Sequence, residues 1–301
     1  MEHHFRFGLV TLQEVPWETL VKRWKSAEEL GFDSAWVADH FANYENPSGS
    51  WFDGWTLMAA LASQTTRIRL GIISSMPLRN PVVLARQALT LDHISDGRLD
   101  LGVGAGAPGN IDPSYRMTGI EDWSPRERVA RFREVVQILD HCLRNPETTY
   151  KGRYYQLEGA MMAPPPVQKP RPPIIIGAMG SSMLRIAAQY GDTWNTYGGA
   201  FNAPPETILE NVKNQVNQVN DYCLKIGRHP NSLRRSLLVW GSEALTVFDS
   251  EEAFKEVINR YSQVGFSEFM FFHPDTAPVI SSRALKEIAA GVMPELRRRL
   301  H

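Results

Sequence analysis

The stretch that most constrains the fold is Arg69–Ala107, RLGIISSMPLRNPVVLARQALTLDHISDGRLDLGVGAGA. It holds an apolar strand over Leu70–Ser74, a helix entered through Asn80-Pro81, and a second strand over Leu99–Val103 that runs into Gly102, Gly104 and Gly106. Strand, helix and strand at this spacing make a parallel βαβ unit. One strand exit is crowded and polar, the other stripped to glycine. Ligands bind at the carboxyl ends of parallel strands, so function is sought there.

The same rhythm runs through the chain. Phe7–Val10 reads as a strand, Pro16 opens a helix stopped by Gly31, and Ala35–Ala38 is a strand ending on Asp39-His40. A helix over about Asp53–Ser63 leads to the strand at Leu70, with Asp53 as its N-cap. Ser124-Pro125-Arg126-Glu127 is a capping box with proline at the first helical position. Thr148–Leu157 reads as a hairpin about Lys151-Gly152, and Ala163–Pro173 as stiff and extended. Pro146–Pro172 is therefore an insertion lying over the barrel. Strands follow at Ile174–Gly177, Thr193–Tyr197, Leu237–Trp240 and Phe269–Phe272, with helices at Ser181–Tyr190, Pro205–Ile226, after Asp249–Glu252, and Ala284–Arg298. Eight strands alternating with eight helices over 301 residues is the count for a closed (β/α)8 TIM barrel in one domain, residues 1–301, with an insertion at about 146–172 between strands 4 and 5. A doubly wound open sheet is the competing architecture.

Composition removes several classes of function. A formal net charge of −1 leaves no footprint for nucleic acid or an anionic membrane. No apolar run reaches membrane-spanning length, and the N-terminus does not read as a signal peptide. Cys142 and Cys223 fall in separate helical patterns, so no disulfide framework is expected and the reading is a reduced, cytoplasmic protein. His3-His4 precede the first strand and no paired-carboxylate cluster appears, so no metal site is expected.

WVADHF (Trp36–Phe41), the Leu70–Gly106 segment, GRYYQLEG (Gly152–Gly159) and PPIIIGAMGSSMLRIAAQYGDTW (Pro172–Trp194) together resemble the bacterial luciferase-like family, in particular its branch using the deazaflavin coenzyme F420. The resemblance spans about Phe5 to Trp194 in the family's order; the last hundred residues match in rhythm. It implies a luciferase-like barrel binding coenzyme F420, or FMN, at the strand exits, a small-molecule substrate and a homodimer.

Asp39-His40 sits where a strand ends, and its residue types suit either proton transfer or a surface capping pair. The resemblance implies that Asp39 contacts the ring system and that His40 serves the substrate oxygen. At Ile73-Ser74-Ser75-Met76-Pro77 two serines and a proline signal a turn. Here the resemblance implies a bulge pressed against one face of the ring, with a non-proline cis bond at Ile73–Ser74 costing about 3 kcal/mol. Gly102 to Gly106 is no dinucleotide fingerprint, because the third glycine is displaced and Pro108 follows. Gly104 and Gly106 let a backbone approach a flat ligand, or serve tight packing. Gly177-Ala178-Met179-Gly180-Ser181 joins strand to helix, and small residues before a helix N-terminus suit a phosphate, a role the resemblance also implies. Tyr44, Trp51, Trp194, Tyr197 and His273 are further pocket candidates, and Arg283 reads as either an anion contact or a solvated helix start.

The resulting expectation is an oxidoreductase moving a hydride between coenzyme F420 and an alcohol, a carbonyl or an activated double bond, with His40 as acid and base. The alternatives are an FMN-dependent two-component monooxygenase and a non-catalytic partner subunit. Ala107 stands where glucose-6-phosphate-oxidising members of the family carry an acid, which argues against that substrate. An aldolase or isomerase would want a lysine at a strand exit, and none is found.

Overall fold

A computed structural model describes residues 4–199, 203–273 and 283–298; His3 lies outside them. The strands are β1 (Arg6–Val10), β2 (Ser34–Asp39), β3 (Arg69–Ser75), β4 (Leu99–Gly104), β5 (Glu147–Lys151), β6 (Gln156–Met161), β7 (Ile174–Gly177), β8 (Thr193–Thr196), β9 (Arg234–Leu238) and β10 (Glu268–Phe272). The helices are α1 (Trp17–Glu29), α2 (Gly54–Gln64), α3 (Pro81–Ile94), α4 (Ser114–Thr118), α5 (Pro125–Arg144), α6 (Ser181–Tyr190), α7 (Pro205–Lys225), α8 (Ser242–Thr246), α9 (Glu251–Ser262), α10 (Arg283–Glu287) and α11 (Met293–Arg298). Eight strands close in the order β1-β10-β9-β8-β7-β4-β3-β2, all pairs parallel, while β5 and β6 form a separate antiparallel hairpin. The closed ring excludes the open sheet.

Local chemistry starts and stops these elements as the sequence suggests. Asp53, Asn80, Ser124 and Ser250 each accept backbone N–H bonds from the first turn of α2, α3, α5 and α9. Gly31 follows α1 at φ +78°, a conformation open to glycine. Between α10 and α11 the helix widens to a π turn over Ile288–Val292, just before Pro294, whose ring cannot follow an α-helical turn.

Side chains alternate across each strand. One set, including Phe7, Leu9, Val37, Leu70, Ile72, Leu101, Val103, Ile176 and Phe269, is buried in the large core that also includes the helices' apolar faces. The other set fills the barrel. At its amino end lie charges: Arg6 on β1 reaches Asp100 on β4 at 3.3 Å, a contact that must cross the interior because β2 and β3 separate those strands. Arg69 meets Asp100 at 2.6 Å, and Arg6 and Arg234 meet Glu268 at 3.4 and 3.0 Å. Above them Val10, Trp36, Ile175 and Met270 form a second apolar cluster, with Ile73, Leu238 and Phe272 against it.

This inner polarity explains the main shift in strand bounds. The apolar run suggests Leu237–Trp240, yet the strand is Arg234–Leu238, because Arg234 pairs inside the barrel base and Ser236 bonds to Asn195 within it. β3 likewise runs on to Ser75 and pairs without interruption from Leu70↔Leu99 to Ser75↔Gly104. The expected bulge is therefore absent from β3: the serines stay in the ladder and the chain turns only at Met76–Leu78. The Ile73–Ser74 bond is not cis. The cis bonds among the described residues precede Pro164 and Pro170.

The insertion lies along the flank and base of the barrel. Glu134 of α5 accepts the N–H groups of Arg153, Tyr154 and Tyr155 at the hairpin turn. Gln168 donates to Asp92 at 2.9 Å and to the Leu99 carbonyl at 2.8 Å, and accepts from Arg69 at 3.0 Å. Cys142 and Cys223 are buried and form no disulfide. No described helix is long and apolar enough to cross a membrane.

Burial raises the Asp100 carboxyl, but Arg69 and then Arg6 outweigh it and hold the group below the ordinary range. A carboxylate depressed in this way stabilises the fold above its unfolded-chain value of about 4, and that stabilisation drains away as pH falls through the lower folded-state value. Asp100→Ala leaves two guanidiniums facing each other without their shared acid. It is expected to cost about 3–5 kcal/mol in urea unfolding at neutral pH, with a shallower loss of stability on acidification than the parent protein shows.

Candidate active site

The carboxyl ends of the barrel strands carry the candidate residues, and register lines them up. Asp39 pairs with Ser74, Ser75 with Gly104, and Val103 with Ile176, so Gly104 and Gly177 occupy neighbouring exits at one height. A Cβ built on Gly104 meets nothing within 4 Å, and one on Gly177 meets only the Val103 carbonyl at 3.9 Å. These exits form a strip of bare backbone. Other glycines of the motif serve packing: at Gly102 a Cβ would lie 2.6 Å from the Ile72 carbonyl, and Gly106, at φ +82°, would press on Tyr115 and Pro77. The two readings of the glycine run therefore divide residue by residue.

Asp39 does not present its carboxylate to this strip. It continues the outward-facing set of Val37, is 1% exposed, and receives Arg79 Nε at 3.0 Å, Arg79 Nη2 at 2.5 Å and Trp55 Nε1 at 3.1 Å. Ser74 faces the same way, its hydroxyl accepting from Trp55 Nε1 at 3.0 Å. Both side chains are committed to the layer between barrel and α2, so only their backbone lies at the rim. Burial lowers the Arg79 guanidinium, but Asp39 and then Asp53 prevail and raise it, which keeps it charged. Ile73 points inward and packs on the apolar cluster beneath the mouth.

His40 is the imidazole at the rim, with its side chain 26% exposed. Trp51 Nε1 donates to its carbonyl at 2.8 Å, and its Nδ1 lies 2.8 Å from Tyr44 Oη. Tyr44 in turn donates to Asp112 Oδ2 at 3.0 Å, and the two rings sit 4.4 Å apart. Burial raises the Asp112 carboxyl, while bonds from His40 and Ser114 pull it lower and win. Burial and then Asp112 push the Tyr44 phenol far above its usual value.

The β7–α6 turn supplies a second feature. Gly180 is the N-cap of α6 and has no side chain to occupy the first-turn N–H groups, and a Cβ there meets nothing within 4 Å. Met179 is partly exposed beside it, and Ser181 Oγ lies 2.5 Å from Tyr222 Oη. Ala178 is buried, and its carbonyl accepts from Trp194 Nε1 at 2.8 Å. Trp194 is thus a fully buried packing residue and not a pocket wall. Tyr197, Trp240 and Phe272 form an aromatic run, with ring centroids 6.1 and 4.8 Å apart. His273 donates its backbone N–H to the Val10 carbonyl, and Arg283 is exposed and paired with Glu287.

Sequence reasoning missed Asp112, Arg79, Trp55 and Gln13. Gln13 is fully buried and braces the β2 exit through the Ala38 and Phe52 carbonyls. Each acts from a segment distant in sequence, and only the acid at 112, inside a loop after the glycine exit, carried any chemical signal.

The family model for luciferase-like monooxygenases matches residues 3–275. An F420-dependent glucose-6-phosphate dehydrogenase from Kineococcus radiotolerans is 27% identical over 314 residues, covering 90% of each chain. A 5,10-methylenetetrahydromethanopterin reductase from Archaeoglobus fulgidus is 30% identical over 188 residues, 62% of this chain and 51% of that one. Among solved structures, an F420-dependent secondary alcohol dehydrogenase in complex with an F420-acetone adduct superposes with a TM-score of 0.79 at 20% identity, covering 95% and 98% of the two chains. The monooxygenase RslO1 from Streptomyces bottropensis gives 0.74 at 19% identity, covering 96% and 99%. These likenesses in structure are likenesses of fold. With a family model spanning nearly the whole barrel, the chain belongs to the luciferase-like monooxygenase family.

Proposed function

We propose that this protein is an F420-dependent oxidoreductase that exchanges a hydride with a small alcohol, carbonyl or activated double bond, His40 carrying the proton. The observation that carries the reading is the bare strip at Gly104 and Gly177 lying at the same rim as a partly exposed imidazole. The named activity of the relative from Kineococcus supports the deazaflavin over FMN.

The residues fit such a group. Backbone at Gly104 and Gly177 offers a bare surface, with the Ile73 side chain in the apolar floor beneath it and the Ser74 backbone beside it. The turn Gly177–Ser181 offers first-turn N–H groups with no side-chain cap among the described residues, and a partial positive charge, to a phosphate. The deazaflavin ring supplies the carbon that exchanges hydride. The chain's part is to hold the reacting carbons roughly 3–3.5 Å apart, exclude water, and place a proton acceptor or donor at the substrate oxygen. Asp39 contributes by anchoring the rim from outside through Arg79. Ala107, whose carbonyl accepts from Tyr115 Oη at 2.9 Å, offers no acid there, which supports a substrate other than glucose 6-phosphate. Through its family likeness, the reading carries a homodimer.

Difference spectra of the purified protein with oxidised F420 and with FMN test the cofactor. F420 is expected to bind; FMN binding without F420 binding transfers the reading to a flavin monooxygenase, and binding of neither to a non-catalytic relative. His40→Ala is expected to keep F420 affinity and lose about 10²-fold or more in turnover; unchanged turnover would remove the proton role. Gly104→Val is expected to fold normally yet bind F420 at least about tenfold more weakly, because its side chain enters open space where the ring would lie. Gly102→Ala, driven into a backbone carbonyl, is expected to cost about 1–3 kcal/mol in unfolding instead.

A further inference from the structure

His40 is held through one ring nitrogen. Its Nδ1 lies 2.8 Å from Tyr44 Oη, and among the described residues no hydrogen bond is made to Nε2. The Tyr44 hydroxyl also lies 3.0 Å from Asp112 Oδ2. A phenol has one proton to donate, whereas an ionised carboxylate can only accept. Asp112 is buried, and its other oxygen accepts the Ser114 N–H at 2.9 Å. It is therefore acceptor-only at both oxygens. The Tyr44 proton is committed to Asp112, and the phenol oxygen is left as an acceptor toward the imidazole. Nδ1 must then carry the hydrogen of that bond.

We infer that Tyr44 is a positioning residue which, with Asp112 behind it, fixes His40 in the Nδ1–H tautomer and leaves the Nε2 lone pair as the atom that exchanges a proton with the substrate oxygen. Its catalytic meaning rests on the oxidoreductase reading above; the tautomer itself does not. When a substrate O–H bond breaks, the proton forms a bond to Nε2 while Nδ1 keeps its own. The ring becomes a cation with Nδ1 3.7 Å from Asp112 Oδ2, so the compensating charge is already in place. The reverse transfer returns the same proton from Nε2.

The geometry is held by two loops locked together. Tyr44 follows His40 by one helical-turn spacing in the segment after β2, and Asp112 sits in the segment after β4. Ser114, next to Asp112, accepts the Phe41 N–H through its hydroxyl at 3.2 Å. Among the described residues, the groups packed against the imidazole that can carry charge are Tyr44 and Asp112, with Tyr115 acting on Tyr44 from beyond.

The test uses the full-length protein without cofactor, labelled with ¹⁵N-histidine. Ring nitrogen shifts are read above the imidazole's titration, and the His40 signals are assigned by their loss in His40→Asn. The parent protein is expected to show the Nδ1–H form as the dominant tautomer. Tyr44→Phe, which keeps the tilted ring contact, is expected to raise the Nε2–H population several-fold. Asp112→Asn does the same by a second route, because an amide can donate to Tyr44 and let the phenol turn its proton onto Nδ1. A parent protein in the Nε2–H form, or variants with unchanged His40 shifts and intact backbone amide spectra, overturns the inference. With F420 and a panel of short secondary alcohols, Tyr44→Phe is expected to lower kcat about tenfold at unchanged F420 affinity and KM; a loss confined to KM overturns the positioning role. If the parent neither binds F420 nor turns over, the oxidoreductase reading fails while the ring spectra still decide the tautomer.

Discussion

The waist of the barrel is filled by one indole, and both ends depend on it. Trp36 points inward from β2, and a Cβ on Gly71 would lie 2.0 Å from its ring, on Gly102 3.3 Å and on Gly8 3.0 Å. Glycines on three strands clear its berth, and its Nε1 donates to Ser34 Oγ at 2.8 Å. Below it, three guanidiniums and two carboxylates pair across the barrel base. Above it, Ile73, Leu238 and Phe272 make an apolar floor. Close packing of this kind tolerates little change in volume, so the indole separates a charged base from a mouth whose strand exits can stay bare.

The rim is fastened from its outer side. Asp39 and Ser74 meet across a β2–β3 pair, yet both side chains turn to Trp55 of α2, and Asp39 further to Arg79 in the turn before α3. A buried charge is tolerable where hydrogen bonds and an opposite charge meet it, and here they come from the helix layer. The paired helices thereby set where His40 leaves the strand. An acid at a strand exit can serve a site by holding the backbone that carries the working residue.

Fold was legible where one physical rule acts locally. Asn80-Pro81 and Ser124-Pro125 announce helix starts because capping needs only neighbours in sequence, and the alternation of strands and helices follows from apolar period. Strand bounds failed where the barrel interior is polar: Arg234 and Ser236 belong to a strand because they meet Glu268 and Asn195, partners that no window of sequence contains. In the site, Gly104, the Gly177–Ser181 turn and Tyr44 could be picked out from the sequence, while the acid behind Tyr44 and His40 could not. Asp112 lies seventy-two residues beyond His40 and looks like any loop acid until the barrel closes. The direction of a side chain was the other limit. Asp39 was visible as an acid at a strand end, but its facing depends on strand parity, which the sequence pattern leaves open when small residues occupy both faces.

The parts of this mouth have different owners. The bare strip belongs to β4 and β7, held on both flanks by the parallel ladder and from below by the indole. The carboxylate that governs the imidazole belongs to a connecting segment, pinned by Ser114 to its neighbour. Substitution in that segment can therefore change the surroundings of His40 while the platform stays as it is. On the proposed reading, rewriting that loop would change the reaction without disturbing the platform that would hold the coenzyme.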